Sequence, residues 1–389
     1  MLGIIDDGVV VFDGEHVLYV GDRAGAPVAA NLTNLGDRVI TPGLVDAHTH
    51  SCWVGSRHDE YTLRMAGGDY RAIARAGGGI LATQRAVASA SPRALEAALE
   101  ARLRRMMSLG VTTVEVKSGY GLEGDLERKQ LEAIAHVATR RDLPAVVPTF
   151  LALHALPPSG RRDRTGYVRR VANVLIPEVA AAGLARFVDA YVDPGAFTVS
   201  EARVVGEAAR AAGLGVRLHV GQFADLGGAA LAASLGAASA DHLEHVSAAG
   251  IGALAVAGVA AVLLPIASFT LRQPPPPVRE LSAAGVALVV GSDANPGTAP
   301  TESLPLAMAL AVQLYGLSPE EALLGTTRSA ARSLGLFDRG VLRAGARADM
   351  VVWDLPHEQA IAQPWGVAKT WRVIVAGRDA WPHEGGLQT

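Results

Sequence analysis

Residues 41–57 read "TPGLVDAHTHSCWVGSR", an apolar run closed by two histidines one residue apart, His48 and His50, and followed by Arg57. The part "GLVDAHTH" (43–50) has the length and apolar content of a buried strand that ends on polar groups. From there to about residue 335 the pattern repeats, with short β-like runs alternating with Ala/Leu/Arg/Glu segments of helical period. Strands are expected at "GLVDAHTH", "VTTVEVKS", "AVVPTFLALH", "ARFVDAYVD", "LGVRLHVG", "ASADHLEH", "GVAAVLLP" and "GVALVVGSD". Between them lie helices such as "SPRALEAALEARLRRMMSLG", where Ser91 can cap, Pro92 takes the first helical position and Gly110 ends the run. Eight β/α alternations predict a (β/α)8 TIM barrel. The rival, a doubly wound open sheet, lacks a Gly-rich phosphate fingerprint after its first strand. "AGGGI" (76–80) follows no strand and reads as a flexible loop.

Outside the alternation the chain changes character. Residues 9–20, "VVVFDGEHVLYV", are two β-rich runs around Asp13-Gly14, a hairpin signal. After residue 340 short β runs return in "ADMVVWD" and "TWRVIVAGR". The expected division is residues 1–42 and 339–389 forming one small β-sandwich domain, with the barrel over 43–338. "RQPPPPVRE" (272–280) reads as a stiff loop after the seventh strand, too short for a domain linker. Of the 389 residues, half are hydrophobic and 19% charged, which excludes a disordered chain. A net charge of −3 gives no support to nucleic-acid or acidic-membrane binding. The longest apolar runs, such as "AGVAAVLLPIASF", are too short to span a bilayer, and no basic segment opens the sequence. The single cysteine, Cys52, excludes an internal disulfide framework. A cytoplasmic protein is expected.

Active sites of such barrels gather at the C-terminal ends of the strands. Those ends carry His48 and His50, Lys117, His154, His219, His242 and His245, and Asp293. Side chains two apart on a strand share a face, so His48 and His50 are expected to converge, with Asp46 one pleat behind as an orienting group. Three histidines and one aspartate suit Zn²⁺ or Fe, and suit Mg²⁺ or Ca²⁺ poorly.

The chain resembles the amidohydrolase superfamily of metal-dependent barrels through "PGLVDAHTH", the histidines ending the fifth and sixth strands, "SD" after the eighth and "GVLRAGARADMVVWD". Within it, "GSRHDEY", "GGGI", "EVKSGYGL", "HALP", "GGAALAASLGAASADHLEH" and "SDANPGTAPTES" are similar to the imidazolonepropionase family across nearly the whole chain. The resemblance implies hydrolysis of the cyclic amide of 4-imidazolone-5-propanoate to N-formimidoyl-L-glutamate by a metal-bound hydroxide, the third step of histidine degradation. It implies one Zn²⁺ or Fe ion on His48, His50, His219 and Asp293, with Asp293 as proton carrier. His242 would orient the water and stabilise the tetrahedral intermediate. Arg57 would pair bidentately with the propionate. Tyr120, His154, Gln222 and Thr298 match substrate contacts, and Asn295 and Gly297, with Tyr120, match contacts to the ring-opened product.

Related barrels often carry two metals bridged by a carboxylated lysine, but Lys117 closes the second strand, where a structural role is expected and one metal suffices. Cys52 reads as a small buried residue rather than a fifth ligand. Position 222 is Gln where some relatives carry an acid, which puts a general base there in doubt. The family also implies one more strand ahead of "DDGVV", so either the small sheet is one strand short or translation starts upstream. A small-molecule substrate is the expected partner, with no nucleic acid and no membrane, and a homodimer the expected assembly. Two other readings share parts of this pattern. A deaminase of cyclic amidines or heteroaromatics would keep the metal set without needing Arg57 and Tyr120 for a propionate. A catalytically dead scaffold barrel would be expected to have lost ligands, and none is missing.

Overall fold

A computed structural model describes residues 2–67, 78–363, 367 and 369–381. Eight parallel strands form one sheet: β4 (Leu44–Asp46), β5 (Val111–Lys117), β6 (Ala145–Leu153), β7 (Phe187–Val192), β8 (Gly215–Val220), β9 (Ser239–His242), β10 (Ala260–Leu263) and β11 (Leu288–Val290). Each of the eight expected runs supplies one of them. They pair in chain order, each parallel to the next. The ring closes just beyond the short first and last strands, where Asp293 N–H donates to His48 O and His50 N–H to Ala294 O, both at 3.0 Å. Closure therefore falls on the segment that carries the two histidines.

Local sequence accounts for the helices between strands. In the helix Pro92–Ser108 the Ser91 hydroxyl accepts from Ala94 N–H, Pro92 occupies the first turn, and Leu95, Leu99, Leu103 and Met106 bury one face. Side chains from β4, β6, β7, β10 and β11, among them Val45, Val147, Phe187, Val262 and Val289, pack on Ala330, Ala331 and Leu334. Contact between strands so far apart in order is the filled interior of a barrel. The proline run occupies the loop between the helices Pro265–Leu271 and Val278–Ala283, so "VRE" belongs to a helix and the seventh strand ends well before it. Ala76 and Gly77 of "AGGGI" lie outside the described residues; Ile80 opens the helix Ile80–Ser89.

The chain ends build two further sheets. β1 (Val9–Asp13) and β2 (His16–Gly21) form the expected hairpin, with Gly14 at φ +52° in its two-residue turn. β3 (Val39–Pro42), β12 (Met350–Trp353), β13 (Thr370–Val375) and β14 (Arg378–Trp381) make an antiparallel sheet ordered β14-β13-β12-β3. Val17, Ala348, Met350 and Ile374 pack between hairpin and sheet as a small separate core. The result is a β-sandwich of both termini beside the barrel. No helix of the described residues is long and apolar enough to cross a membrane.

Candidate active site

Three histidines meet at the C-terminal mouth of the barrel. One nitrogen of each of His48, His50 and His219 lies within 4.8 Å of the others, and all three residues are buried. The Nε2 atoms of His50 and His219 are 3.4 Å apart. Asp293 Oδ1 stands 3.3 Å from His50 Nε2 and 3.5 Å from His48 Nε2.

The tautomers follow from the partners behind the rings. His48 Nδ1 is 2.6 Å from Asp241 Oδ2, and His219 Nδ1 is 3.0 Å from Asp189 Oδ1. A carboxylate accepts, so each Nδ1 carries the proton and each Nε2 presents a lone pair to the centre. Asp46 was expected in that orienting role and does not fill it. Its carboxylate accepts from Ser292 N–H at 3.1 Å instead. Burial pushes the Asp46 carboxyl up to about 6.

Asp189 and Asp241 are the functional residues that a reading of strand ends misses. Both sit inside strands, in "FVDAYV" and "SADH", and are fully buried. Lys117 lies between them. Its ammonium donates to Glu115 Oε1 and Asp189 Oδ2, each at 2.8 Å, and stands 3.9 Å from Asp241 Oδ2. Arg217 joins from below, 3.7 Å from Asp241 and donating to Ala47 O. Burial works against the charge on each group, but Lys117, the histidines and Arg217 hold Asp189 and Asp241 below the usual carboxylate range.

The other expected residues surround this centre. His154 stacks on His50, ring centroids 5.3 Å apart, and its Nδ1 donates to Gly119 O at 2.7 Å. Burial, with His50 adding to it, lowers the His154 imidazole to about 3, so its Nε2 is a standing acceptor. Tyr120 is 5.3 Å from His154 and 6.1 Å from His50 between ring centroids. Its loop is held from the helix Gly124–Ala138, where Gln130 Oε1 accepts from Tyr120 N–H and Gly121 N–H, and Glu127 accepts from Gly119 N–H and Leu122 N–H. Gln222 Oε1 accepts from Tyr191 O–H at 2.7 Å, leaving the amide nitrogen as a donor.

Arg57, after the first barrel strand, and the loop after β11, the last, are brought together where the ring closes. The Arg57 guanidinium is 9% exposed, pairs with Glu60 at 2.7 Å, and lies flat against Gly297. Gly297 O accepts from both terminal nitrogens of Arg64 at 3.2 Å. Asn295 spends its amide inside the loop: Oδ1 accepts from Gly297 and Thr298 N–H, and Nδ2 donates to Asp293 O and Thr298 Oγ1. Asn295 thus sets the height of Asp293, whose own φ is +54°.

His242 ends β9 at φ +80°, beside His48 and His219, and Glu244 holds its imidazole above the usual histidine value although burial alone would lower it. His245, grouped with it by the sequence, faces solvent in the loop that follows. Cys52 is a buried core residue outside the histidine cluster, and burial pushes its thiol up to about 12.

Such a centre can bind one ion, present it to water and hold an anionic group some distance away. Known proteins agree with that chemistry. The model of the amidohydrolase family matches residues 39–378. Imidazolonepropionase of Caulobacter vibrioides (strain NA1000 / CB15N) is 47% identical over 95% of this chain and 94% of its own, and that of Paracoccus denitrificans (strain Pd 1222) 43% over 96% and 94%. A solved adenosine deaminase from Xanthomonas campestris with bound zinc matches the fold, with a TM-score of 0.74 at 20% identity over 96% of this chain and 88% of that one. The chain belongs to the amidohydrolase family and, within it, to the imidazolonepropionases.

Proposed function

We infer that the chain hydrolyses the ring C–N bond of 4-imidazolone-5-propanoate, giving N-formimidoyl-L-glutamate in histidine degradation. The observation that carries this reading is one mouth that joins a His/His/His/Asp centre to a buried arginine laid on Gly297. The near full-length identity to imidazolonepropionases supports it.

A metal ion fits the residues present. His48 and His219, with their Nδ1 protons committed to Asp241 and Asp189, turn lone pairs toward Asp293 and His50, an arrangement that repels itself without a cation. His48, His50, His219 and Asp293 would hold one Zn²⁺ or Fe ion. When bound, such an ion supplies Lewis acidity that brings the pKa of water to about 7.

The remaining work falls to side chains. Asp293 takes the proton of the attacking water and passes it to the leaving ring nitrogen. His242 orients that water and stabilises charge developing on the carbonyl oxygen. Arg57 anchors the propionate, Tyr120 and His154 line the ring, and His154 Nε2 accepts from a ring N–H. Gln222, Asn295, Gly297 and Thr298 complete the substrate and product contacts. Residues 43–338 make the catalytic unit, with 1–42 and 339–389 as its β-sandwich. The enzyme works in the cytoplasm as a homodimer, on a small molecule, with no nucleic acid or membrane. The test is loss of imidazolone propionate absorbance with the substrate made in place from urocanate. Absence of turnover by metal-loaded protein would overturn the assignment.

A further inference from the structure

Glu244 stands where no expected function requires it. Its side chain has no solvent exposure, yet Oε2 lacks any hydrogen-bond partner, and so does the neighbouring Nδ1 of His242. The two groups face each other at 3.7 Å, measured from Nδ1 to Oε1. A buried carboxylate oxygen and a buried imidazole nitrogen each left unsatisfied are costly, and each is what the other lacks. The backbone enforces the encounter. His242 and Leu243 are consecutive non-glycine residues at φ +80° and +71°, a conformation that strains L side chains and that turns residues 242 and 244 toward one another.

Behind Glu244 runs a short chain of hydroxyls. Ser268 Oγ donates to Glu244 Oε1 at 2.5 Å and lies 2.6 Å from Tyr315 O–H. Ser268 has a single proton and commits it to the carboxylate, so Tyr315 must donate to Ser268. All three residues are buried, and they reach Glu244 from the helices Pro265–Leu271 and Leu304–Tyr315. Oε1 is thereby held from behind, and the carboxylate faces His242 Nδ1 across 3.7 Å.

We propose that Glu244, held by Ser268 and Tyr315, is a positioning residue that accepts from His242 Nδ1–H and so aims His242 Nε2 at the reacting carbonyl. The inference rests on the assignment of His242 to the chemical step and adds the element that makes His242 competent for it. A hydrogen bond of this kind is commonly long before substrate arrives and shortens in the complex. A shift of roughly 1 Å between His242 and Glu244 would bring Nδ1 and the carboxylate to ordinary hydrogen-bond distance.

The test compares Glu244→Gln, Ser268→Ala and His242→Gln in the metal-loaded enzyme, with kcat, KM, metal content and thermal stability measured for each. Glu244→Gln should lower kcat by about 10- to 100-fold, the effect of losing an orienting partner behind a functional histidine. KM should stay within about twofold and the ion should be retained, a split that general loosening of the fold would not produce. Ser268→Ala, which frees Oε1 while keeping the carboxylate, should lower kcat by a smaller factor in the same sense, and it carries the test alone if Glu244→Gln does not fold. Parental kcat in Glu244→Gln or in Ser268→Ala, alongside a collapsed kcat in His242→Gln, overturns the role of Glu244 and leaves that of His242 standing. Parental kcat in His242→Gln overturns the catalytic assignment of His242, and the inference with it.

Discussion

Replacing Gly297 with alanine would move Arg57 while leaving its charge in place. Gly297 lies outside the left-handed region, so its backbone accepts a side chain. The new Cβ would stand 2.2 Å from Arg57 Nη1 and 2.5 Å from Cζ. Ordinary contact needs about 3.5 Å, so the guanidinium must retreat by roughly 1 Å. It can do so because it is the far end of a long side chain, but Glu60 limits the direction through contacts of 2.8 Å to Nε and 2.7 Å to Nη2. A misplacement of about 1 Å in a binding group costs on the order of 100-fold in rate, or about 2.7 kcal/mol. Gly297→Ala should therefore lose roughly 30- to 100-fold in kcat/KM by the urocanate-coupled assay, with unchanged metal content and a melting temperature shifted by no more than about 2 °C. Arg57→Met removes the charge itself and should lose about 2–5 kcal/mol, the range for a desolvated charge pair. Arg57→Lys should recover only part, since an ammonium lacks the planar fork. A Gly297→Ala enzyme as efficient as the parent would refute the reasoning, leaving Arg57 as a structural partner of Glu60.

Asp293→Asn should lose far more kcat than substrate affinity, because it removes the proposed proton acceptor; retained metal with near-normal turnover would require another proton carrier. Dialysis against a chelator should remove about one ion per chain together with activity, and two tightly bound ions would contradict a single closed ligand set. Glu201, which caps the helix Val199–Ala211 with Thr198 and pairs with Arg164, is lowered to about 2 chiefly by that arginine. Its folded value lies below its unfolded one, so its contribution is complete above about pH 4.5 and is lost as pH falls through about 2. Glu201→Gln should accordingly cost about 1 kcal/mol at pH 7 and progressively less below pH 4 in thermal melts.

The barrel was legible because its signals are local. Each strand is a short apolar run, and the helix Pro92–Ser108 carries its own cap, proline and stop. The candidate ligands were legible because they end strands. Their orienting partners were not, since Asp241 is 193 positions from His48 and meets it only when the ring of strands closes. The sequence does hold a signal for them: an aspartate inside a short β-like run of the barrel must find a buried partner. Asp46 misled for the complementary reason. It obeys strand alternation on paper, but β4 stops there, and the next residues follow the closure to β11. The support of Tyr120 by Glu127 and Gln130 was hidden likewise, because two polar residues three apart on a helix ordinarily face water.

The buried charges beneath the histidines argue for the number of ions as well as for their presence. Glu115, Asp189, Asp241 and Asp293 are opposed by Lys117 and Arg217 alone among the fully buried groups of this cluster, four negative charges against two positive. Asp46, pushed up to about 6, adds another once ionised. Buried as these groups are, such an excess is costly, and one divalent ion held by His48, His50, His219 and Asp293 would offset two of the charges. A second ion bridged by a carboxylated lysine would work against the arrangement. Carboxylation would turn Lys117 from a cation into an anion, set between Glu115 and Asp189 at the 2.8 Å separations that its ammonium now occupies. Both carboxylates would lose a donor and face a like charge, and Asp189 could no longer serve as the fixed acceptor for His219 Nδ1. On the proposed one-ion reading, the lysine that keeps the orienting aspartates ionised would also keep the centre to a single ion.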